Sequence, residues 1–274
     1  RTNISQDMIL DGGTLNIGTS NYRYRIGGNF TFSSGNFSGG SGNAVIEFIT
    51  IPAFGSIRNT SLSGDFTGVS AFNNVLINKG GSGRVVSLQS NIEINGQLDL
   101  TDGLVVSNGN VVELGSVAST LPAIGRNNSY IIGRVNKVIP ASGITFNFPI
   151  GSSNRWRPAS INGISAAGLT WSAEYFEANP TSDPLVDNLT ATNSGMAPAQ
   201  IQRISDNEYW KISDDAGATP PAGVTARVGL SWGLESQVSP TLAEREELEV
   251  MIWNDGLSSW DNLDGQSFQP LGTG

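Results

Sequence analysis

The sequence predicts an all-β protein: an N-terminal β-solenoid, helical in the β sense, over residues 1–120, then a C-terminal antiparallel β-sandwich over residues 121–274. Three observations predict it. Around Val85–Gly115 the chain reads RVVSLQ, SNIEING, GQLDLTDG, GLVVSNG, GNVVELG, a ladder of aliphatic residues at alternate positions between Gly, Asn, Asp and Ser. Alternation at period two is a strand with one buried face, and punctuation this frequent leaves no room for helices. Glycine supplies 34 positions and charged residues only 14% of the chain, which suits tight turns and stacked strands. Finally, all six Trp lie after residue 155, and of twelve Pro only Pro52 precedes Pro122. Pro lacks a ladder donor and indoles fit poorly in a narrow stacked interior, so the architecture should change near Ser116–Arg126.

Further steps precede the ladder. GGTLNIG (Gly12–Gly18) and GGNFTFSSG (Gly27–Gly35) read as equivalent steps fifteen residues apart, with Leu15 and Ile17 answering Phe30 and Phe32. NAVIEFITI (Asn43–Ile51) and FNNVLINK (Phe72–Lys79) continue the pattern, and three short steps make a turn of roughly twenty residues. In the second half, Ile144–Ile150, Leu169–Phe176 and Val224–Trp232 are longer strands, and Glu249–Trp253 leads through Asn254-Asp255-Gly256 to Ser259–Asp261 as a hairpin. Thr241–Glu249 opens with a capping-box pattern that predicts two helical turns, and residues 177–203 read as a long polar loop.

Composition removes several function classes. With neither Cys nor His, disulfide scaffolds, thiolate zinc sites, Ser-His-Asp catalysis and imidazole metal ligation are excluded. No apolar stretch approaches the ~20 residues a membrane helix needs. The net charge of −9 is uneven: eleven basic and eight acidic residues in 1–157, four basic and sixteen acidic in 158–274. An acidic chain with no basic stripe predicts no nucleic-acid partner. The opening Arg1-Thr2 reads as a mature or trimmed form.

Carboxylates are the acid–base groups that remain. Glu93, Asp99, Asp102 and Glu113 are candidates for glycoside chemistry, although solvent-facing positions on alternating strands carry acids by default. Asp206, Asp214, Asp215, Asp255, Asp261 and Asp264 are loop carboxylates of the kind calcium uses, with Asp214, Asp215, Asp255, Asp261 and Asp264 the proposed metal set and no other cofactor expected. Trp156, flanked by Arg155 and Arg157, is the candidate sugar-binding platform. The six Asn-x-Ser/Thr sequons carry little weight in a chain so rich in these residues.

The run FNNVLINKGGSGRVVSLQSNIEINGQLDLTDGLVVSNGNVVELG, followed by Phe148-Pro149-Ile150-Gly151 and Arg157-Pro158, resembles surface proteins of Bacteroidota exported by the type IX secretion system. Glu208–Ile212, Leu230–Trp232 and Trp253–Leu263 extend the resemblance over residues 70–263. It implies an extracellular or cell-surface adhesin, gliding-associated protein or fibre, of a group in which such regions usually precede a C-terminal sorting domain cleaved during export. It transfers no catalytic residue. The expectation is therefore a secreted, non-enzymatic structural or adhesive protein, self-associating head to tail, with a polysaccharide-binding or polysaccharide-degrading module as the alternative.

Overall fold

A computed structural model describes residues 2–50, 59–81, 83–180, 205–214, 223–236, 250–254 and 259–262. The chain divides into two compact units, Arg1–Tyr175 with Trp210–Leu230, and Phe176–Tyr209 with Ser231–Gly274. No α-helix occurs among the described residues, and no helix there is long and apolar enough to cross a membrane.

The first unit opens as a stack of parallel strands in two sheets. A 6-stranded sheet, sheet A, runs β1 (Thr2–Ile4), β3 (Arg23–Ile26), β5 (Val45–Ile49), β7 (Asn74–Asn78), β10 (Gln97–Asp102) and β12 (Ser119–Leu121). Sheet B begins with β2 (Met8–Asn16), β4 (Phe30–Ser38), β6 (Thr60–Gly64), β8 (Val85–Leu88), β9 (Ile92–Ile94), β11 (Leu104–Leu114) and β13 (Ile131–Val138). Every pairing among these strands is parallel. The chain thus coils as a solenoid, each ladder step of the sequence becoming one strand: RVVSLQ is β8, SNIEING is β9, and GQLDLTDG is β10. GLVVSNG and GNVVELG are the two limbs of β11, which bends where Asn108 (φ 53) and Gly109 (φ 84) take the left-handed conformation.

The early coils repeat every 22 residues, as in Arg25 beside Glu47, while later ones are shorter or longer, as in Glu93 beside Glu113. This corrects the fifteen-residue match. Met8 lies beside Phe30 and Leu15 beside Phe37, so Leu15 answers Phe37 and not Phe30. The two Gly-Gly segments look alike because both limbs of a bent strand begin after glycine.

Alternation fills the interior. Ile46, Phe48, Val75, Ile77, Leu98, Leu100, Val112, Leu114, Ile131 and Val135 are buried, one row on the next. Phe30, Phe37, Phe66 and Phe72 form a run of rings with centroids 4.8–5.5 Å apart along adjacent pairs. The void beside Phe48, Leu62 and Phe72 is about 10 Å³, so the interior is a filled core.

At the bends, polar side chains bond rung to rung. The Asn29 N–H donates to Asp7 Oδ1 (2.8 Å), the Ser61 N–H to Asn29 Oδ1 (2.8 Å), and the Val85 N–H to Asn59 Oδ1 (3.1 Å). The Val111 N–H donates to Asn91 Oδ1 (2.9 Å) and the Gln97 N–H to Asn74 Oδ1 (2.8 Å). Each bond satisfies a backbone donor that leaves the ladder as the chain turns.

The pairing changes where β14 (Thr145–Phe148), β15 (Ile150–Gly151), β16 (Ala159–Asn162), β17 (Thr170–Phe176), β18 (Tyr209–Asp214) and β19 (Arg227–Leu230) enter. Ile150–Gly151 makes the last parallel step, against β13. β17 then pairs β13 antiparallel and β18 follows it, while β14, β16 and β19 form a separate antiparallel sheet. Phe146, Phe148, Ile161, Ile164, Trp171 and Tyr175 make its sandwich-like core. In the second unit β20 (Met251–Asn254) and β21 (Ser259–Asn262) form the expected hairpin, with Trp253 beside Trp260. The expected helix at Thr241–Glu249 and most of the 177–203 loop lie outside the described residues.

Candidate functional site

The four candidate acids fall on two faces. Asp99 and Asp102 lie on sheet A, where Asp99 Oδ1 accepts from Thr101 Oγ1 at 2.9 Å and Asp102 Oδ1 from Asn128 Nδ2 at 3.1 Å. Glu93 and Glu113 lie on sheet B, directly in register on β9 and β11. Parallel neighbours are ~4.8 Å apart, so the two carboxyls are juxtaposed.

Their surroundings differ. Glu93 Oε2 accepts the Gly68 N–H at 2.7 Å and its Oε1 accepts Asn95 Nδ2 at 2.9 Å. Glu113 is pushed up from the ordinary carboxylate range, first by burial and then by the Glu93 charge beside it. The row continues through Asn136 on β13 and Ser172 on β17, whose hydroxyl lies 2.7 Å from Ser213. A cleft of about 140 Å³ opens between Glu93, Glu113, Asn136, Val138 and Thr170. Asn136 is only 5% exposed, with its Oδ1 accepting from Arg134 Nε at 3.1 Å. A parallel row below holds Glu174, raised by burial against the opposing pull of Lys211 and Arg134. One carboxylate held by two donors stands beside a second whose pKa is raised by burial, and the pair offers adjacent carboxyl groups to a hydroxylated ligand.

The Trp156 region is built into the end of the parallel stack. The indole N–H of half-buried Trp156 donates to the Ile124 carbonyl at 2.8 Å. Arg157 is buried, with Nη1 donating to the Trp156 carbonyl at 3.1 Å and its own carbonyl receiving Trp210 Nε1 at 3.4 Å. The Arg155 N–H donates to Ser152 Oγ at 3.1 Å and its carbonyl accepts the Ser152 N–H at 2.8 Å. Gly151 has no room for a side chain: a Cβ there would lie 2.1 Å from the Arg155 carbonyl oxygen and 2.7 Å from the Tyr130 ring. The FPIG and RP elements thus meet where parallel pairing ends.

Of the proposed calcium set, Asp214 closes β18 and Asp261 lies on β21, while Asp215, Asp255 and Asp264 fall outside the described residues. Among the described residues no three His, Cys, Asp or Glu side chains gather as a metal site.

Two buried lysines escaped the sequence reading. Lys79 Nζ donates to Thr60 Oγ1 (2.8 Å) and the Ile49 carbonyl (3.2 Å). Lys137 Nζ donates to the carbonyls of Gly115 (2.5 Å), Ala118 (2.7 Å) and Ser116 (3.0 Å), and lies 5.4 Å from the Phe146 ring centre. Burial lowers both to about 8, with Arg84 adding to the effect at Lys79. The signal was their phase: Lys79, one residue past β7, keeps the inward phase of Val75 and Ile77, and Lys137 that of Val135 on β13.

Comparison of the chain with protein-family models, with curated proteins and with solved structures gives no match to any of them.

Proposed function

We propose that the chain is a secreted, non-enzymatic structural or adhesive protein of the bacterial surface, similar to those of the type IX secretion group, and that it assembles head to tail. The observation that carries this reading is how the polar side chains at the bends are used. Asp7, Asn29, Asn59, Asn74 and Asn91 accept backbone N–H groups of the next rung, which invests the conspicuous Asn-rich punctuation in holding the stack together. A parallel stack also ends in strand edges that another copy is able to pair with. Electron microscopy of the purified chain over a range of salt tests it: filaments are expected, and monodisperse particles at high concentration would defeat the assembly reading.

The register of Glu93 and Glu113 beside a 140 Å³ cleft favours a second reading, an extracellular polysaccharide-binding or polysaccharide-degrading module. Binding on a glycan array, or turnover of a polysaccharide, that is lost in Glu113→Gln would establish it. The same signal unchanged in Glu113→Gln would remove this cleft from consideration.

A further inference from the structure

We propose that the cleft beside Glu93 and Glu113 binds an amino sugar, the 2-amino-2-deoxyhexose unit of a polysaccharide, with its ammonium between the two carboxyl groups and its neighbouring hydroxyl oxygen accepting from the Asn136 amide. The inference rests on the polysaccharide reading of this cleft above and names the sugar.

Two polar groups meet at the cleft without partners. Glu113 is half-buried, and its carboxyl makes no hydrogen bond among the described residues. Asn136 is 5% exposed and lines the cleft, yet the one bond its side chain makes there is through Oδ1, which receives Arg134 Nε at 3.1 Å. Its Nδ2 is left with no partner among the described residues. The two residues are direct register neighbours on β11 and β13, but they do not satisfy each other. A buried amide donor with no bond is costly, and a ligand is one way to supply it.

The chemistry of that ligand follows from the three side chains. Glu93 and Glu113 set two carboxyl groups side by side, and the Glu93 charge adds to burial in raising the Glu113 pKa. A positive charge between them relieves that repulsion. A bare metal ion fits poorly, because Arg134 holds the Asn136 oxygen and leaves the amide hydrogens to face the cleft, and no third carboxylate joins the pair among the described residues. The ligand must instead carry a cationic donor with an acceptor next to it. A lysine side chain has the ammonium without the acceptor. A 2-amino sugar has both, on adjacent ring carbons. The cleft of about 140 Å³ is smaller than the ~300–1,000 Å³ of pockets that enclose drug-sized ligands, so it takes one ring, over an uncharged floor of Gly115 and Val138.

Titration calorimetry of the full chain with β-1,4-linked oligomers of glucosamine, N-acetylglucosamine and glucose, equal in length, tests the proposal because the three differ only at the second carbon. The glucosamine oligomer is expected to bind at least about tenfold tighter than the other two, the worth of a charged hydrogen bond. Glu113→Gln and Asn136→Leu, each shown by circular dichroism to keep its strands, should each weaken it about tenfold. Asp11→Asn, on β2 at the far end of sheet B, removes the same charge as Glu113→Gln and should leave binding unchanged. An equal loss in Asp11→Asn would overturn the site in favour of general attraction between an acidic chain and a polycation. A lysine oligomer bound as tightly, and lost in Glu113→Gln, would overturn the sugar. Glucose or N-acetylglucosamine oligomers bound as well as glucosamine, and lost in Glu113→Gln, would overturn the amine while the polysaccharide reading stands. No binding of any of the three saccharides would defeat both.

Discussion

Truncating Phe72 tests whether the interior of the stack is a solid core whose rungs depend on their neighbours. Phe72 is fully buried, and its ring centre lies 4.8 Å from Phe66, 5.4 Å from Phe37 and 6.4 Å from Phe48. Phe72→Ala removes the ring and leaves a cavity in a fold that cannot collapse onto it, because the backbone spacing is fixed by ladders on either side. Buried Phe→Ala changes cost about 3–5 kcal/mol. Loss of three ring contacts, where a favourable pair adds about 0.5–1.5 kcal/mol, places this one near the upper bound. Phe72→Leu keeps most of the volume and should cost under about 2 kcal/mol. Urea unfolding followed by far-ultraviolet circular dichroism measures both from the midpoint, provided the slope is unchanged. Hydrogen exchange should locate the loosening in β5, β7 and β9 first. A Phe72→Ala cost below about 1 kcal/mol would refute the argument, since it is less than the transfer term alone.

Lys79 and Lys137 sit at about 8 in the folded chain against 10.5 as free side chains. Between those values the unfolded chain binds more protons, so their contribution to stability is present above 10.5 and lost as pH falls through 8. Stability should therefore gain from these groups as pH rises from 8, seen as a melting temperature that depends on pH less steeply in Lys79→Met and Lys137→Met than in the parent. Gly151→Ala should destabilise by at least ~2 kcal/mol, because its Cβ collides with the backbone at Arg155 and not with a movable side-chain tip; a melting temperature unchanged from the parent would contradict this. If Asp214, Asp215, Asp255, Asp261 and Asp264 hold calcium, the melting temperature should climb with the logarithm of free calcium and fall on chelation, and indifference to chelator would remove the metal.

The strands were legible because the limbs of the stack alternate at period two and many end at Gly or Asn. Their partners were less so. Leu15 and Phe30 share a local pattern, but the partner of Leu15 is set by a 22-residue coil that only tertiary pairing reveals, and insertions such as the one between β5 and β7 break the period. Trp and Pro crowd in the part of the chain where antiparallel strands enter, but composition set the change near Ser116–Arg126, whereas parallel pairing runs on through β13 to Ile150–Gly151. Glu93 and Glu113 were visible as outward acids, 20 residues apart in the chain; that they are direct neighbours depends on the bend at Asn108-Gly109 setting the second limb of β11 against β9. The buried lysines were hidden by a general rule: charged side chains point outward unless carbonyls wait for them inside, and the carbonyls of Gly115, Ser116 and Ala118 belong to a corner of the previous turn.

The parallel ladders of the first unit give it a mechanical direction. Its backbone hydrogen bonds run along the stack, so tension along that line loads one rung at a time and peels it, whereas tension along the strands shears whole ladders together. A peeling geometry yields at low force unless something else spans the rungs. The Asn29 bond to the Ser61 N–H and the Asn74 bond to the Gln97 N–H also join rung to rung, in addition to the ladders. Each adds one more bond that must break before those two rungs can be pulled apart.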